Sequence, residues 1–363
     1  MTTVVGRRTR RSGSAPLRAG LVGALLLVPA ACTAAPPSPA VAPSAVPSAV
    51  SSATTSDKAS NDICTVRSSY PPSETPPGGV HERGLVVGVD PSDATMSYWN
   101  AKEQQFEGFN IDLVVALAEL IWPKEDPRKR ITFKMVPPGG GAFAMLEADH
   151  PDRVDFIATS LTASCARAEQ VLFSNDYLDS GQTALVRRRG GDFTGAPEYA
   201  GMDQLGGRKV CAAAQTTSLA AIAGYRTAGG ERLVPVQAAH PIDCLVMLRQ
   251  GQVDAVSTDE NILLGFARMA PDTVLVTEPP RDNTPFCRYH NGKSPCTWFT
   301  DEPHAFAFAR GNPESLELLR FVNHALESTR ASVWATAHQR WLKGHPDRGM
   351  PSPGPAVTSW PPG

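Results

Sequence analysis

The chain has 363 residues, with 34 Lys and Arg against 36 Asp and Glu, a formal net charge of −2 and 42% hydrophobic residues. That balance excludes the broad basic field that nucleic-acid binding needs, and the length allows two ordinary lobes plus tails.

Residues 1–32 read as an export signal. Arg7, Arg8, Arg10, Arg11 and Arg18 form a basic start, residues 21–28 an apolar run, and Ala30-Ala31-Cys32 a small-residue cleavage site. Cleavage before Cys32 leaves that cysteine N-terminal. Such a placement resembles a bacterial lipobox, with Pro29 where Leu is usual, and two acyl chains on its thiol anchor a protein stably where one would not. The expected location is therefore extracytoplasmic, tethered to the cell membrane. No later stretch approaches the ~20 apolar residues of a membrane helix. Residues 33–63, rich in Ala, Pro, Ser and Thr, cannot bury enough surface to repay ordering and read as a disordered tether.

Beyond Cys32, the cysteines are Cys64, Cys165, Cys211, Cys244, Cys287 and Cys296. An even set in an exported chain reads as disulfides, for which 15 pairings exist. Short separation suggests Cys287 with Cys296; shared lobes suggest Cys211 with Cys244 and Cys64 with Cys165. No Cys-x-x-Cys occurs and the histidines are scattered, so no metal site is expected.

Order begins after a proline-rich arm in which Tyr70 is the one large apolar group. Residues 84–90 form an uninterrupted apolar strand ending at Asp90, as in a buried parallel sheet. Leu113, Ala116, Leu117 and Leu120 follow at helical spacing, and Pro123 ends the helix. A strand at 131–136, a glycine triplet at 139–141, a helix near 143–146 and a strand at 156–158 complete a βαβαβ pattern. The fold class is α/β with an open parallel sheet, whose strand ends bind ligands. Residues 181–186 read as a strand leading out of the first lobe, with Arg187-Arg188-Arg189 as a solvated turn. Strands near 210–213, 234–236 and 253–258 with a helix over 242–250 build the second lobe. An insert at 279–298 precedes re-entry at 305–309, and helices over 313–327 and 331–341 cover the first sheet. The expected bounds are 64–187 and 299–345 for lobe one, 188–298 for lobe two and 346–363 for a flexible tail.

The densest chemistry lies between these strands. Phe156-Ile157-Ala158 runs into Ser160, Thr162 and Ser164, and Arg167 follows. A guanidinium beside exposed amides and hydroxyls can grip a carboxylate bidentately. Asp155, then Thr162-Ala163-Ser164-Cys165-Ala166-Arg167, then Phe173-Ser174-Asn175-Asp176-Tyr177 resembles the central motif of the family 3 extracytoplasmic solute-binding proteins, the polar amino-acid receptors of ABC importers, with Ser164 for a second Thr. Gly108-Phe109-Asn110-Ile111-Asp112, with Asn110 in place of that block's first Asp, and Val253-Asp254-Ala255-Val256 resemble two further blocks.

The resemblance covers about 85–345 and implies two α/β lobes of the type II binding-protein fold, joined by two crossovers around a ligand cleft. It implies that Arg167, Ser160 and Thr162 hold the ligand's carboxylate with Thr216, that Asp259 holds its α-ammonium, and that Asp90, Gln215, in place of a usual Gly, and an aromatic from the first loop complete the site. Met96, Tyr98 and Trp99 are candidates for that aromatic, Tyr98 foremost. It further implies a monomer, no cofactor, glutamate, glutamine, aspartate or asparagine as ligand, and an ABC permease as partner. A sensor handing the ligand to a membrane signalling partner, or a dehydratase or lyase on the same lobes, are the alternatives.

Overall fold

The computed structural model describes residues 70–276, 298–345 and 349–352, all within one unit of the chain, Ser56–Gly363. The export signal, Cys32, the tether, Cys64 and the Cys287/Cys296 insert lie outside the described residues.

The arm lies against the fold: Tyr70 is buried, Asn323 Nδ2 donates to its carbonyl at 2.8 Å and Arg320 Nε to the Pro71 carbonyl at 2.9 Å. Then come α1 (Gly78–Arg83), β1 (Leu85–Val89), a hairpin of β2 (Tyr98–Asn100) and β3 (Gln105–Glu107), α2 (Phe109–Ile121), β4 (Ile131–Met135), β5 (Phe156–Ile157), the one-turn α3 (Cys165–Ala168) and β6 (Val171–Phe173). β1 pairs in parallel with both β4 and β5, which makes it a central strand, and all of its residues but Val86 are buried. α2 stops before Pro123, where a missing N–H and a ring clash end the ladder.

The helix expected near 143–146 is instead a 3-10 run over Gly139–Leu146. Gly139 holds φ +60, and a Cβ there would stand 2.2 Å from the Gln215 carbonyl oxygen, which accepts the Gly140 N–H at 3.2 Å. The glycine triplet thus permits a second-lobe loop to approach closely.

The second lobe holds β7 (Gly181–Arg187), β8 (Lys209–Ala213), α4 (Thr217–Gly224), β9 (Val234–Ala238), α5 (Pro241–Arg249), β10 (Ala255–Asp259), α6 (Glu260–Met269), β11 (Thr273–Leu275) and β12 (Thr300–Asp301). Its sheet runs β11-β7-β10-β8-β9, with β12 beside β7. β7 lies antiparallel to β10, Val186 opposite Ala255 and Gln182 opposite Asp259, so it belongs to this sheet rather than leading out of the first. A strand buried along nearly its whole length reads alike in either sheet, which is why the sequence misplaces the boundary at 187. Likewise Thr300 and Asp301 pair with β7, so the return crossover follows residue 301 rather than 298. The arginine triplet is structural too: Arg187 donates to the Leu248 and Val253 carbonyls at 2.7 and 2.8 Å and pairs with Glu198 at 2.9 Å.

Cys211 on β8 and Cys244 on α5 are bonded, Cα to Cα 5.5 Å, as expected. Their sequence separation of 33 gives, in the chain-entropy picture, about 4 kcal/mol. Cys211→Ser is expected to cost about that much in urea unfolding, and a loss under about 1 kcal/mol would show that the reduced chain is already constrained. Cys165 is also disulfide-bonded.

β13 (Ala307–Ala309) returns antiparallel between β5 and β6, completing the order β4-β1-β5-β13-β6. α7 (Pro313–Thr329) and α8 (Ala335–Trp341) are joined by a π turn over Arg330–Trp334. Phe156 stacks on Phe308 at 5.3 Å and Phe109 meets Trp334 edge-on at 5.9 Å in the lobe-one core. Met350 is buried in that core, and Arg330 donates to the Met350 and Pro351 carbonyls. Residues 349–352 are therefore docked rather than a loose tail.

Two segments, 174–180 and 302–306, connect the lobes side by side. Tyr177 N–H donates to the His304 carbonyl at 2.9 Å, His304 N–H to Leu178 at 2.8 Å and Glu302 N–H to Ser180 at 2.8 Å.

Candidate functional site

Arg167 sits on the single turn of α3, whose start is capped by Ser164 Oγ accepting the Arg167 N–H at 3.4 Å. Its guanidinium is buried, and Nη1 donates to the Thr162 carbonyl at 2.9 Å. Asp259 ends β10 where α6 begins, but its side chain makes no capping bond to that helix. Its Oδ1 has no hydrogen-bond partner although the residue is only 4% exposed.

The two residues come from different lobes and line one cavity of about 40 Å³, together with Asp90, Ser160, Thr162 and Thr216. Thr216 Oγ1 also caps α4, accepting the Leu219 N–H at 3.2 Å. Two expected residues are not on this cavity. Tyr98, on the β2–β3 hairpin, donates its hydroxyl to Glu107 Oε2 at 2.8 Å and packs edge-on to Trp341 at 5.9 Å. Met96 is buried in the core and Trp99 packs on Phe106. Gln215, at φ +58, lies against the glycine triplet, its carbonyl taken by Gly140.

The sequence reading missed Asp93, Glu302 and His304. Asp93, three residues beyond Asp90, is buried on the cavity wall; Ser160 Oγ donates to its Oδ2 at 2.6 Å and the Thr95 N–H to its Oδ1 at 3.4 Å. Glu302, in the return crossover, is fully buried and accepts three hydroxyls: Thr162 at 2.6 Å, Thr217 at 2.9 Å and Thr300 at 2.8 Å. The available signal was an acid pair, Asp301-Glu302, before Pro303 in a segment that must cross the cleft.

Burial dominates the electrostatics. It raises the Asp93 carboxyl to about 6 against the pull of Ser160. It pushes Asp259 well above the ordinary carboxylate range, helped by the Glu302 charge and opposed by Arg167. Glu302 is also raised by burial, less so for its three threonine donors. Burial pulls His304 down to about 3, with His345 and Arg167 adding, so the ring is neutral and its 3.7 Å approach to Asp259 is no ion pair. Arg167 is lowered by burial but supported by Glu302 and Asp259.

The lobes are closed on each other. Glu302 Oε2 joins Thr162 of lobe one to Thr217 of lobe two. Thr95 Oγ1 donates to the Asn261 carbonyl at 3.0 Å, and Asn261 Nδ2 to Ser160 Oγ at 3.1 Å. A cavity of about 40 Å³ has room for a few waters at most, so admitting an amino acid requires the lobes to part on their two connecting segments. Among the described residues, no group of three His, Cys, Asp or Glu could hold a metal ion.

The model of the bacterial extracellular solute-binding proteins, family 3, matches residues 85–344. The chain belongs to that family. This family 3 protein is 25% identical over 264 residues, 72% of its own chain and 82% of the relative, to the ABC transporter glutamine-binding protein GlnH of Bacillus subtilis (strain 168). Among solved structures, holo ArgBP from T. maritima matches with a TM-score of 0.52 and 22% identity over 73% of this chain and 98% of that one. The ancestral amino acid-binding protein AncCDT-1, a precursor of cyclohexadienyl dehydratase, matches with 0.54 and 24% over 72% and 97%. These likenesses establish the two-lobed type II fold, and the family's members are solute-binding proteins of bacterial exteriors.

Proposed function

We propose that this family 3 protein is the receptor of an amino-acid ABC importer: it closes on one polar α-amino acid and delivers it to a membrane permease. Arg167 takes the α-carboxylate and Asp259 the α-ammonium. The observation that supports this most is the oppositely charged pair, one from each lobe, over a shared cavity with Asp259 Oδ1 left without a partner. A zwitterion supplies both complements at once, and only a closed cleft lets both act, so the ligand's differential affinity drives closure. The GlnH name supports the importer role. In this reading Cys32 is lipidated and holds the receptor beside its permease.

The test is a thermal-shift screen of the full chain against the twenty amino acids. A true ligand at 100 times its Kd should stabilise by about 2.7 kcal/mol. If no amino acid raises the melting temperature, the receptor reading is wrong. Loss of uptake in a strain lacking the protein separates importer from sensor.

A further inference from the structure

The cleft has more acceptors than an α-amino zwitterion can satisfy. Ser160 spends its proton on Asp93 and Thr162 and Thr217 spend theirs on Glu302, so these hydroxyls offer lone pairs, not protons, to a ligand. On the cavity wall stand three carboxyl groups, Asp90, Asp93 and Asp259, against the single guanidinium of Arg167. The unpartnered, buried Oδ1 of Asp259 accounts for one donor, the α-ammonium. That leaves Asp93, on the β1 loop of the opposite lobe, for whatever else the ligand carries. Uncompensated buried charge is costly unless it meets a partner when the site is filled.

Resting on the receptor reading above, we infer that the ligand is a basic amino acid, its side-chain ammonium or guanidinium held by Asp93 with Asp90 beside it. A glutamate or aspartate side chain would instead bring a further negative charge to a wall already dominated by carboxyl groups. A glutamine or asparagine amide would leave that wall uncompensated.

The experiment is calorimetry of the full chain with arginine, lysine and ornithine, with glutamine, asparagine, glutamate and aspartate, and with agmatine, which has the guanidinium but no carboxylate. Basic amino acids should bind at least about tenfold more tightly than neutral or acidic ones, and agmatine should fail because Arg167 has nothing to hold. Asp93→Asn should weaken arginine about 10- to 100-fold, the loss expected for one charge-assisted contact. Should that variant not fold, the wild-type pH profile carries the same information: arginine affinity, taken relative to that of a neutral amino acid, should fall about fivefold from pH 6 to pH 5 as Asp93 takes its proton. Selective binding of glutamine or glutamate, or an Asp93→Asn variant that binds arginine unchanged, overturns the inference while leaving the receptor reading intact. Failure of every amino acid to bind would sink both.

Discussion

Arg167→Ala is expected to weaken amino-acid binding by about 100-fold or more. A guanidinium gripping a carboxylate in a partly dry cleft contributes two charge-assisted hydrogen bonds, together about 3 kcal/mol or more. Here its neighbours raise the stakes, since Asp259 and Glu302 would lose the one cation that supports their ionised forms. The variant should therefore also be less stable, and the loss of binding must be read at a temperature where circular dichroism shows it folded. Arg167→Lys keeps the charge but not the planar fork, and should fall between, about tenfold weaker than wild type. Calorimetry showing Arg167→Ala within threefold of wild type would remove Arg167 from the ligand and leave it as a brace for the Thr162 carbonyl.

The fold was legible wherever pattern and chemistry agreed. The β1 strand read correctly because burial in a parallel sheet leaves a continuous apolar signature, and the end of α2 because Pro123 cannot continue a helix. What escaped was sheet membership. β7 is as buried as the first-lobe strands, and nothing in its own residues says that Trp298, more than a hundred positions away, will pack where a Cβ of Gly181 would stand.

The site was legible in part for a similar reason. Arg167 and Asp259 sit in compact motifs whose order along the chain is kept, and both line the cavity. The aromatic expected at Tyr98 depended on how a loop turns: Asp93 N–H and C=O bonds to Asp90, Met96 and Ser97 curl it so that Asp93 faces the cleft. Glu302 and His304 were missed because crossover residues carry no periodicity, and their importance arises only when two segments distant in sequence lie side by side.

The buried acids and His304 make the pH dependence of stability a direct probe of this site. Asp93 holds its proton up to about 6 in the fold but only to 3.8 when unfolded. Above about 6 its buried charge therefore destabilises the fold by about 3 kcal/mol, a penalty relieved as pH falls through that window to 4. Asp259 and Glu302, also raised, act in the same direction. His304 acts oppositely: neutral in the fold down to about 3 but protonated below 6.5 when unfolded, it subtracts stability as pH falls from 6.5. Asp93→Asn removes only the first contribution. Its stability relative to wild type should thus be higher at pH 7 than at pH 4 by about 2 kcal/mol, whatever constant amount it loses by weakening the Ser160 bond. His304→Gln should shift the difference the other way, gaining on wild type as pH falls. Urea unfolding at pH 4, 5, 6 and 7 measures both, and parallel curves for Asp93→Asn and wild type would mean that Asp93 carries no buried charge. A ligand cation would then gain nothing by relieving it, whereas a charged Asp93 would be neutralised by a bound cation, which stabilises the fold to the same extent.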